Sequence, residues 1–172
     1  ATNAGGIKVI RYGMTRSWVT GMKVITGRGD LLDLNRGLTK NATGYDFRHL
    51  FIGSEGTLGI IVELTMALSA PPLDPTVLIL GVEDMTQTMP VLEAFQEKLS
   101  LTAFEFFSER ALGHVIAGKN LARPFETTSN FYALIEFEQR GDEDLESAME
   151  LFQHCLDQGW IVDGTVSQSL TQ

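Results

Sequence analysis

Three glycines stand at three-residue spacing in Ile52-Gly53-Ser54-Glu55-Gly56-Thr57-Leu58-Gly59-Ile60-Ile61, with one carboxylate among them and an apolar run behind. Glycine accepts positive φ and lets another backbone or a ligand come close. A turn of this composition can present main-chain N–H groups to an anionic or polar ligand. The spacing is G-x-x-G-x-x-G, not the G-x-G-x-x-G of a dinucleotide-binding turn, which disfavours that reading. A bulge ahead of a strand accounts for the same glycines equally well on spacing alone. Glu55 reads as a buried carboxylate. It either accepts hydrogen bonds from ligand hydroxyls or loop N–H groups, or it pins the glycine turn.

A second glycine-rich segment opens the chain, Ala1-Thr2-Asn3-Ala4-Gly5-Gly6. Asn and paired Gly reach left-handed conformations. Two small polar side chains and two glycines can wrap a phosphate or a flavin ring edge, and an ordinary loop has the same composition. With no initiator Met and a start inside such a loop, the chain reads as a piece of a longer protein.

Other reactive side chains offer less. His49, His114 and His154 show no metal-ligand spacing, and no Ser-His-Asp or Cys-His arrangement can be argued. Cys155 is the single cysteine. It lies among Leu151, Phe152 and Leu156 in a helical pattern, as a buried structural thiol does, and a reducing compartment is its simplest home. Arg123, ahead of Pro124-Phe125 in a loop, has the fork geometry to take a carboxylate, or is simply a surface Arg.

The elements that must position these residues fall into two grammars. In the first half, Val19 to Thr26 reads as a strand, Gly27 to Asp30 as a hairpin turn and Leu31 to Leu34 as the returning strand. Thr43 to Leu50 is a short helical or irregular connection, and Ile60 to Leu68 a buried β-branched strand. Three prolines within Pro71-Pro72-Leu73-Asp74-Pro75 mark a linker over 71–75. Beyond it, Thr76 to Val82, Leu101 to Phe107, Phe131 to Phe137 and Trp160 to Val166 read as strands. A helix carrying Met89, Leu92, Phe95 and Leu99 tolerates Pro90 near its start. A second, capped by Ser108, carries Leu112, Val115 and Ile116 and closes near Gly118. A third, capped by Asp142, carries Leu145, Met149, Phe152 and Leu156 and ends at Gly159. This is βαβ followed by βαβ with an extra helix between, a ferredoxin-like layering. The fold class is α+β.

The 172 residues carry 44% hydrophobic and 20% charged side chains, an ordinary globular balance. A net charge of −9 argues against nucleic-acid binding. It also means that any anionic substrate needs local Arg or Lys. No stretch is long and apolar enough to span a bilayer as a helix.

Taken together, Ala1 to Gly6, Arg11-Tyr12-Gly13, Lys40-Asn41-Ala42-Thr43-Gly44-Tyr45-Asp46 and Phe51 to Ile61 resemble the FAD-linked oxidases of the vanillyl-alcohol oxidase type, with their PCMH-type FAD-binding domain. Arg123 to Glu126, Phe131 to Glu136 and Val162 to Thr165 resemble the branch holding D-2-hydroxyglutarate dehydrogenases, D-lactate dehydrogenases and glycolate oxidase subunits. The resemblance runs through nearly the whole chain in order. It implies a second FAD-binding subdomain over 1–70, an antiparallel sheet with helices, then a ferredoxin-like substrate cap over 76–172. It also implies FAD, with oxidation of a D-2-hydroxy acid, D-2-hydroxyglutarate first, by hydride transfer to the flavin. By the same resemblance Thr2, Asn3, Gly5 and Gly6 lie along the flavin, with Arg11, Tyr12 and Gly13 following. Gly53, Glu55, Gly56 and Gly59 form a second cofactor-contacting turn, and Ile60 and Ile61 meet the adenine with their backbone. Lys40, Tyr45 and Asp46 position that turn, Tyr45 as a packed aromatic. The catalytic and metal-binding histidines of the family fall beyond Gln172, so no catalytic or metal residue is assigned. The implied electron acceptor is a quinone or an electron-transfer flavoprotein, and the implied location is the cytoplasm, with a peripheral place at a membrane left open. D-lactate or glycolate as substrate, and a non-enzymatic ferredoxin-like binding module, stand as alternatives.

Overall fold

Val19, Met22 and Val24 are buried along the strand Val19–Thr26, and a register shift between Val19 and Gly21 lets all three join one core. The computed structural model, which describes residues 1–35, 38 and 40–167, shows that strand and the elements around it. The chain divides into two compact units, Ala1–Pro71 and Pro72–Gln172.

The first unit runs through a short helix α1 (Val9–Tyr12), strands β1 (Val19–Thr26) and β2 (Leu31–Leu34), a helical turn α2 (Arg48–Phe51) and strand β3 (Gly59–Met66). The sheet order is β2-β1-β3, with β1 antiparallel to both neighbours. The expected hairpin turn is present. Thr26 N–H donates to Asp30 O at 2.9 Å, and Gly29 takes φ +88°. Val19, Met22, Val24, Phe51 and Ile52 form the small core, flanked by Leu32, Leu34 and Ile61. The expectation of a buried strand behind Gly59 is corrected. β3 lies at the sheet edge with most of its side chains exposed, and Ile60 is 66% exposed. A three-stranded sheet whose core draws on one helical turn has too little material to cover an edge strand.

The second unit contains β4 (Pro75–Val82), α3 (Thr88–Lys98), β5 (Leu101–Ser108), α4 (Glu109–Lys119), β6 (Phe131–Glu138), α5 (Asp142–Asp157) and β7 (Asp163–Val166). The order β5-β6-β4-β7, antiparallel throughout, is the ferredoxin-like arrangement with α4 inserted. The core includes Leu78, Leu80, Val91, Phe95, Ile135, Phe137, Leu151 and Cys155. Burial pushes the Cys155 thiol up to about 11, so it is an inert packing group.

Several boundaries shift for local reasons. Pro75 opens β4, where a strand's first residue tolerates the missing donor. In α3 the buried residues are Thr88, Val91 and Phe95, while Met89 points outward. The Thr88 hydroxyl donates to Met85 O at 2.7 Å, which lets a nominally polar residue occupy the inner face. Ser108 does cap α4, accepting from Ala111 N–H, but the helix ends at Asn120, φ +53°, beyond Gly118. Gly141 takes the N-cap position of α5, and Asp144 rather than Asp142 reaches back to accept from Arg140 N–H at 2.7 Å. Gly159, φ +69°, closes α5 with Gly159 N–H to Leu156 O and Trp160 N–H to Cys155 O, a Schellman turn that delays β7 to Asp163. The end of the 76–172 range, 168–172, lies outside the described residues.

Arg123 is an exposed surface Arg, and it is not a free carboxylate receptor. Its guanidinium is ion-paired with Glu109 and lies 3.4 Å from the hydroxyl of the buried Tyr132. Tyr132 Oη donates to Glu109 Oε2 at 2.6 Å and accepts from Ser129 N–H at 3.2 Å. Phe107 stacks on the Tyr132 ring with centroids 5.5 Å apart. The node fastens the loop after α4 to the sheet.

Two consequences are measurable. A Cβ on Gly164 would lie 2.7 Å from Phe152 Cε2 and 3.0 Å from Ile79 O. Gly164→Ala should therefore destabilise by about 1–3 kcal/mol, whereas Gly118→Ala, in open space on α4, should stabilise by about 0.5–1 kcal/mol. Chemical denaturation compares them, and a neutral Gly164→Ala would refute the packing. Second, Arg123 and then Tyr132 hold the Glu109 carboxyl below its ordinary 4.5. A depressed folded-state pKa adds stability above the ordinary value, and that stability is lost as pH falls through the folded value. The melting-temperature gap between the parent chain and Glu109→Gln should be full near neutrality and close below pH 4.5. A gap constant from pH 7 to 3 would contradict it.

Candidate functional site

Asn3 takes φ +58° and Gly6 φ +73°, so the opening segment curls through left-handed backbone. Asn tolerates this region through local hydrogen bonding, and here Asn3 Oδ1 accepts from Arg16 N–H at 2.9 Å. Ala4 O accepts from Thr15 twice, from N at 3.1 Å and from Oγ1 at 2.6 Å. A side chain on Gly5 would collide with Val9 Cγ2 at 2.8 Å, so the loop can cross α1 only as glycine. At Gly6 nothing lies within 4 Å of where a Cβ would be. Thr2 is exposed and Asn3 half-buried.

α1 follows, ended by Gly13 at φ +68°. Arg11 is exposed on it. Tyr12 is tied down: its carbonyl accepts from Trp18 Nε1 at 2.7 Å, and the two rings meet edge-on at 6.0 Å.

The second glycine segment is built the same way. Gly53, Glu55 and Gly56 take φ +93°, +52° and +85°. Ser54 and Thr57 fold it on itself. Ser54 Oγ donates to Phe51 O at 2.9 Å, and Thr57 Oγ1 to Ser54 O at 2.7 Å. Glu55 corrects an expectation, since it is exposed and not buried. Its structural contribution is main-chain, with Glu55 N–H approaching Ala1 O at 3.4 Å. A left-handed Glu is strained by about 1–2 kcal/mol, so the turn holds it there against its preference. Gly56 faces open space, while a Cβ on Gly59 would come within 2.7 Å of Val24 Cγ1 and 2.8 Å of Ile25 O. Gly59 thus lets β3 lie close on β1. Ile60 pairs with Ile25 and Ile61 with Val24 in that ladder.

The two segments, about fifty positions apart, meet in space. Arg16 lies at the junction. Its main chain holds Asn3, and its Nη2 donates to Ile52 O at 3.3 Å, the residue before Gly53. A Cβ on Gly53 would sit 3.6 Å from Asn3 Cβ and 3.9 Å from Arg16 Nη2. Sequence reasoning passed over Arg16, because nothing in its type or spacing distinguishes it from Arg11.

The Lys40 to Asp46 segment approaches from α2. Asp46 accepts from Arg48 Nη2 at 2.6 Å and Nε at 2.9 Å, while Arg48 Nη1 donates to Val19 O at 2.6 Å. This pairing holds the Asp46 carboxyl below the usual range and raises the Arg48 guanidinium. It pins the start of α2 to the start of β1, and so sets where Gly53 emerges. His49 adds a contact to Asp46 at 3.4 Å. Lys40 is exposed. Tyr45 is not a packed aromatic. It is 88% exposed and touches Phe47 edge-on at 6.4 Å.

No group of three or more His, Cys, Asp and Glu among the described residues is placed to hold a metal ion, and no described helix is long and apolar enough to cross a membrane.

Residues 72–172 match the family model for FAD linked oxidases, C-terminal domain. A D-2-hydroxyglutarate dehydrogenase of Stutzerimonas stutzeri is 61% identical over 171 residues, 99% of this chain and 37% of that protein. One from Xanthomonas citri pv. viticola is 54% identical over 100% of this chain and 36% of its own length. A mitochondrial one from Arabidopsis thaliana is 34% identical over 100% of this chain and 32% of its own. The chain thus spans about a third of the relatives it matches. Among solved structures, an alkyldihydroxyacetonephosphate synthase superposes with TM-score 0.66 at 19% identity, covering 99% of this chain and 33% of that one. A substrate-bound p-cresol methylhydroxylase superposes with TM-score 0.56 at 13% identity, over 91% and 35%. These two share the fold. With the family model covering more than half of its length, the chain belongs to the FAD linked oxidases, matching their C-terminal domain over residues 72–172.

Proposed function

We propose that this chain is a portion of an FAD-dependent dehydrogenase that oxidises a D-2-hydroxy acid, D-2-hydroxyglutarate, to the 2-oxo acid. Residues 1–70 are then the later part of the FAD-binding domain and 76–172 the substrate cap. The observation that carries the reading is the convergence of the Ala1–Gly6 loop and the Gly53–Gly56 turn, both left-handed and bare of side chains at Gly6 and Gly56. Such a place suits a large flat cofactor with an anionic tail. Main chain can approach it closely, and the Arg16 cation stands beside it. The names of the relatives, at 61% and 54% identity, favour the five-carbon diacid over a smaller one.

When bound, the flavin supplies the acceptor for the hydride leaving C2 of the hydroxy acid. This chain contributes position. Asn3, Gly5 and Gly6 line the cofactor with small groups, and Thr2 adds a hydroxyl. Gly53 and Gly56 offer main-chain N–H groups, Glu55 between them ties the turn to Ala1 O, and Gly59, Ile60 and Ile61 carry that turn into β3. Arg11, Tyr12 and Gly13 close the first loop. Arg123 is not the receptor for the substrate carboxylate in this reading, because Glu109 already occupies it. A quinone or an electron-transfer flavoprotein takes the electrons onward.

Two measurements test the proposal. The full-length protein carrying this segment should show flavin absorbance that bleaches on adding D-2-hydroxyglutarate. Bleaching by D-lactate or glycolate alone would move the substrate assignment. Absence of flavin after reconstitution with FAD would overturn the reading in favour of a binding module. In the same protein Asn3→Ala removes the tie to Arg16 and should weaken FAD binding about tenfold, by a hydrogen bond's net worth of about 1.4 kcal/mol. Unchanged affinity would remove Asn3 from the site.

A further inference from the structure

Arg16 presents a charge without a counter-charge among the described residues. It is half-buried, and its one side-chain hydrogen bond among the described residues goes to a neutral carbonyl, Ile52 O at 3.3 Å. No carboxylate of the described residues lies within ion-pair distance of it. Arg48 and Arg123, by contrast, are each held by a carboxylate, Asp46 and Glu109. In a chain with 22 acidic and 13 basic residues, carboxylates are not scarce. A guanidinium has five N–H donors in a rigid fork, and leaving a half-buried one without a counter-charge is unfavourable. The place is also specific. Arg16 joins the two glycine-rich segments, with Asn3 on its main chain and Gly53 beside its Nη2.

We infer that Arg16 is a cofactor-binding residue, whose guanidinium takes an anionic or electron-rich oxygen of the flavin cofactor at the junction of the two loops. The inference rests on the flavin reading above and adds to it the group that supplies the charge. Two parts of the cofactor share this chemistry: the diphosphate and the carbonyl edge of the isoalloxazine. A bidentate fork suits either.

The variant Arg16→Gln keeps a donor for Ile52 O and removes the charge, and Arg16→Lys keeps the charge. Both are made in the full-length protein, with FAD affinity read by fluorescence quenching and the flavin midpoint potential by dye equilibration. If the diphosphate is the partner, Arg16→Gln weakens FAD at least tenfold, leaves riboflavin affinity unchanged and does not move the potential. If the ring edge is the partner, riboflavin weakens as well. The potential then falls by about 30 mV or more, the equivalent of a tenfold change for a two-electron couple. In either case Arg16→Lys, which keeps the charge but not the fork, recovers part of the loss. Affinity and potential within twofold and 10 mV, roughly, of the parent in Arg16→Gln would overturn the inference and leave Arg16 as a loop strut. Equal losses in Arg16→Gln and Arg16→Lys would overturn it too, since a charge-preserving change would then rescue nothing. A parent protein that never takes up flavin would instead sink the flavin reading itself, a result distinct from all of these.

Discussion

The hydrogen bond from the Arg16 amide to the Asn3 side chain is the point on which the first unit's candidate site turns. It holds a left-handed Asn in place. It also puts the Arg16 side chain where it reaches the carbonyl that precedes Gly53. Backbone with positive φ and few side chains has little to hold it by packing, because it offers almost no apolar surface to bury. Such loops must therefore be fixed by hydrogen bonds, and each one here is. Ala4 is held by Thr15, Glu55 approaches Ala1, and Ser54 and Thr57 close their own turn.

The fixed parts stand on a small base. Among the described residues, a core of five buried side chains with the turn α2 supports the sheet that carries these loops. The Asp46–Arg48–Val19 linkage compensates by bracing α2 against β1 through a charged pair and a main-chain carbonyl. In the second unit the balance is reversed. Long helices α3 and α5 touch one another and carry fully buried Val91, Phe95, Ala148 and Cys155. The polar node Glu109–Arg123–Tyr132 there serves the loop after α4.

β-Branched residues and turn residues made β1, its hairpin turn and β2 legible down to their end residues, and the ferredoxin-like order followed from counting strands and helices. The polar cap of Ser108 was equally plain. What the letters concealed were features that depend on partners distant in sequence. Thr88 reads as polar but turns inward because its hydroxyl is satisfied one turn back. Ile60 reads as core but lies at an edge, a matter of how many strands the sheet has. Both glycine segments stood out by composition. Arg16, which joins them, did not, because a bridge across 36 positions leaves no local trace.

The strand order of the first unit bears on how the site comes into being. β1 and β2 are joined by a four-residue turn and the Asn3–Arg16 tie spans 13 positions. The pairing of Lys23 with Glu63 spans 40. Closing the longer loop costs more chain entropy before any contact offsets it, so local contacts form first and distant ones later. The opening loop can thus be shaped while the chain behind it is still searching, and the Gly53 turn arrives only with β3. A nascent chain would carry one glycine-rich loop without the other for some time, and in the proposed flavin reading cofactor binding would then report that β3 has docked.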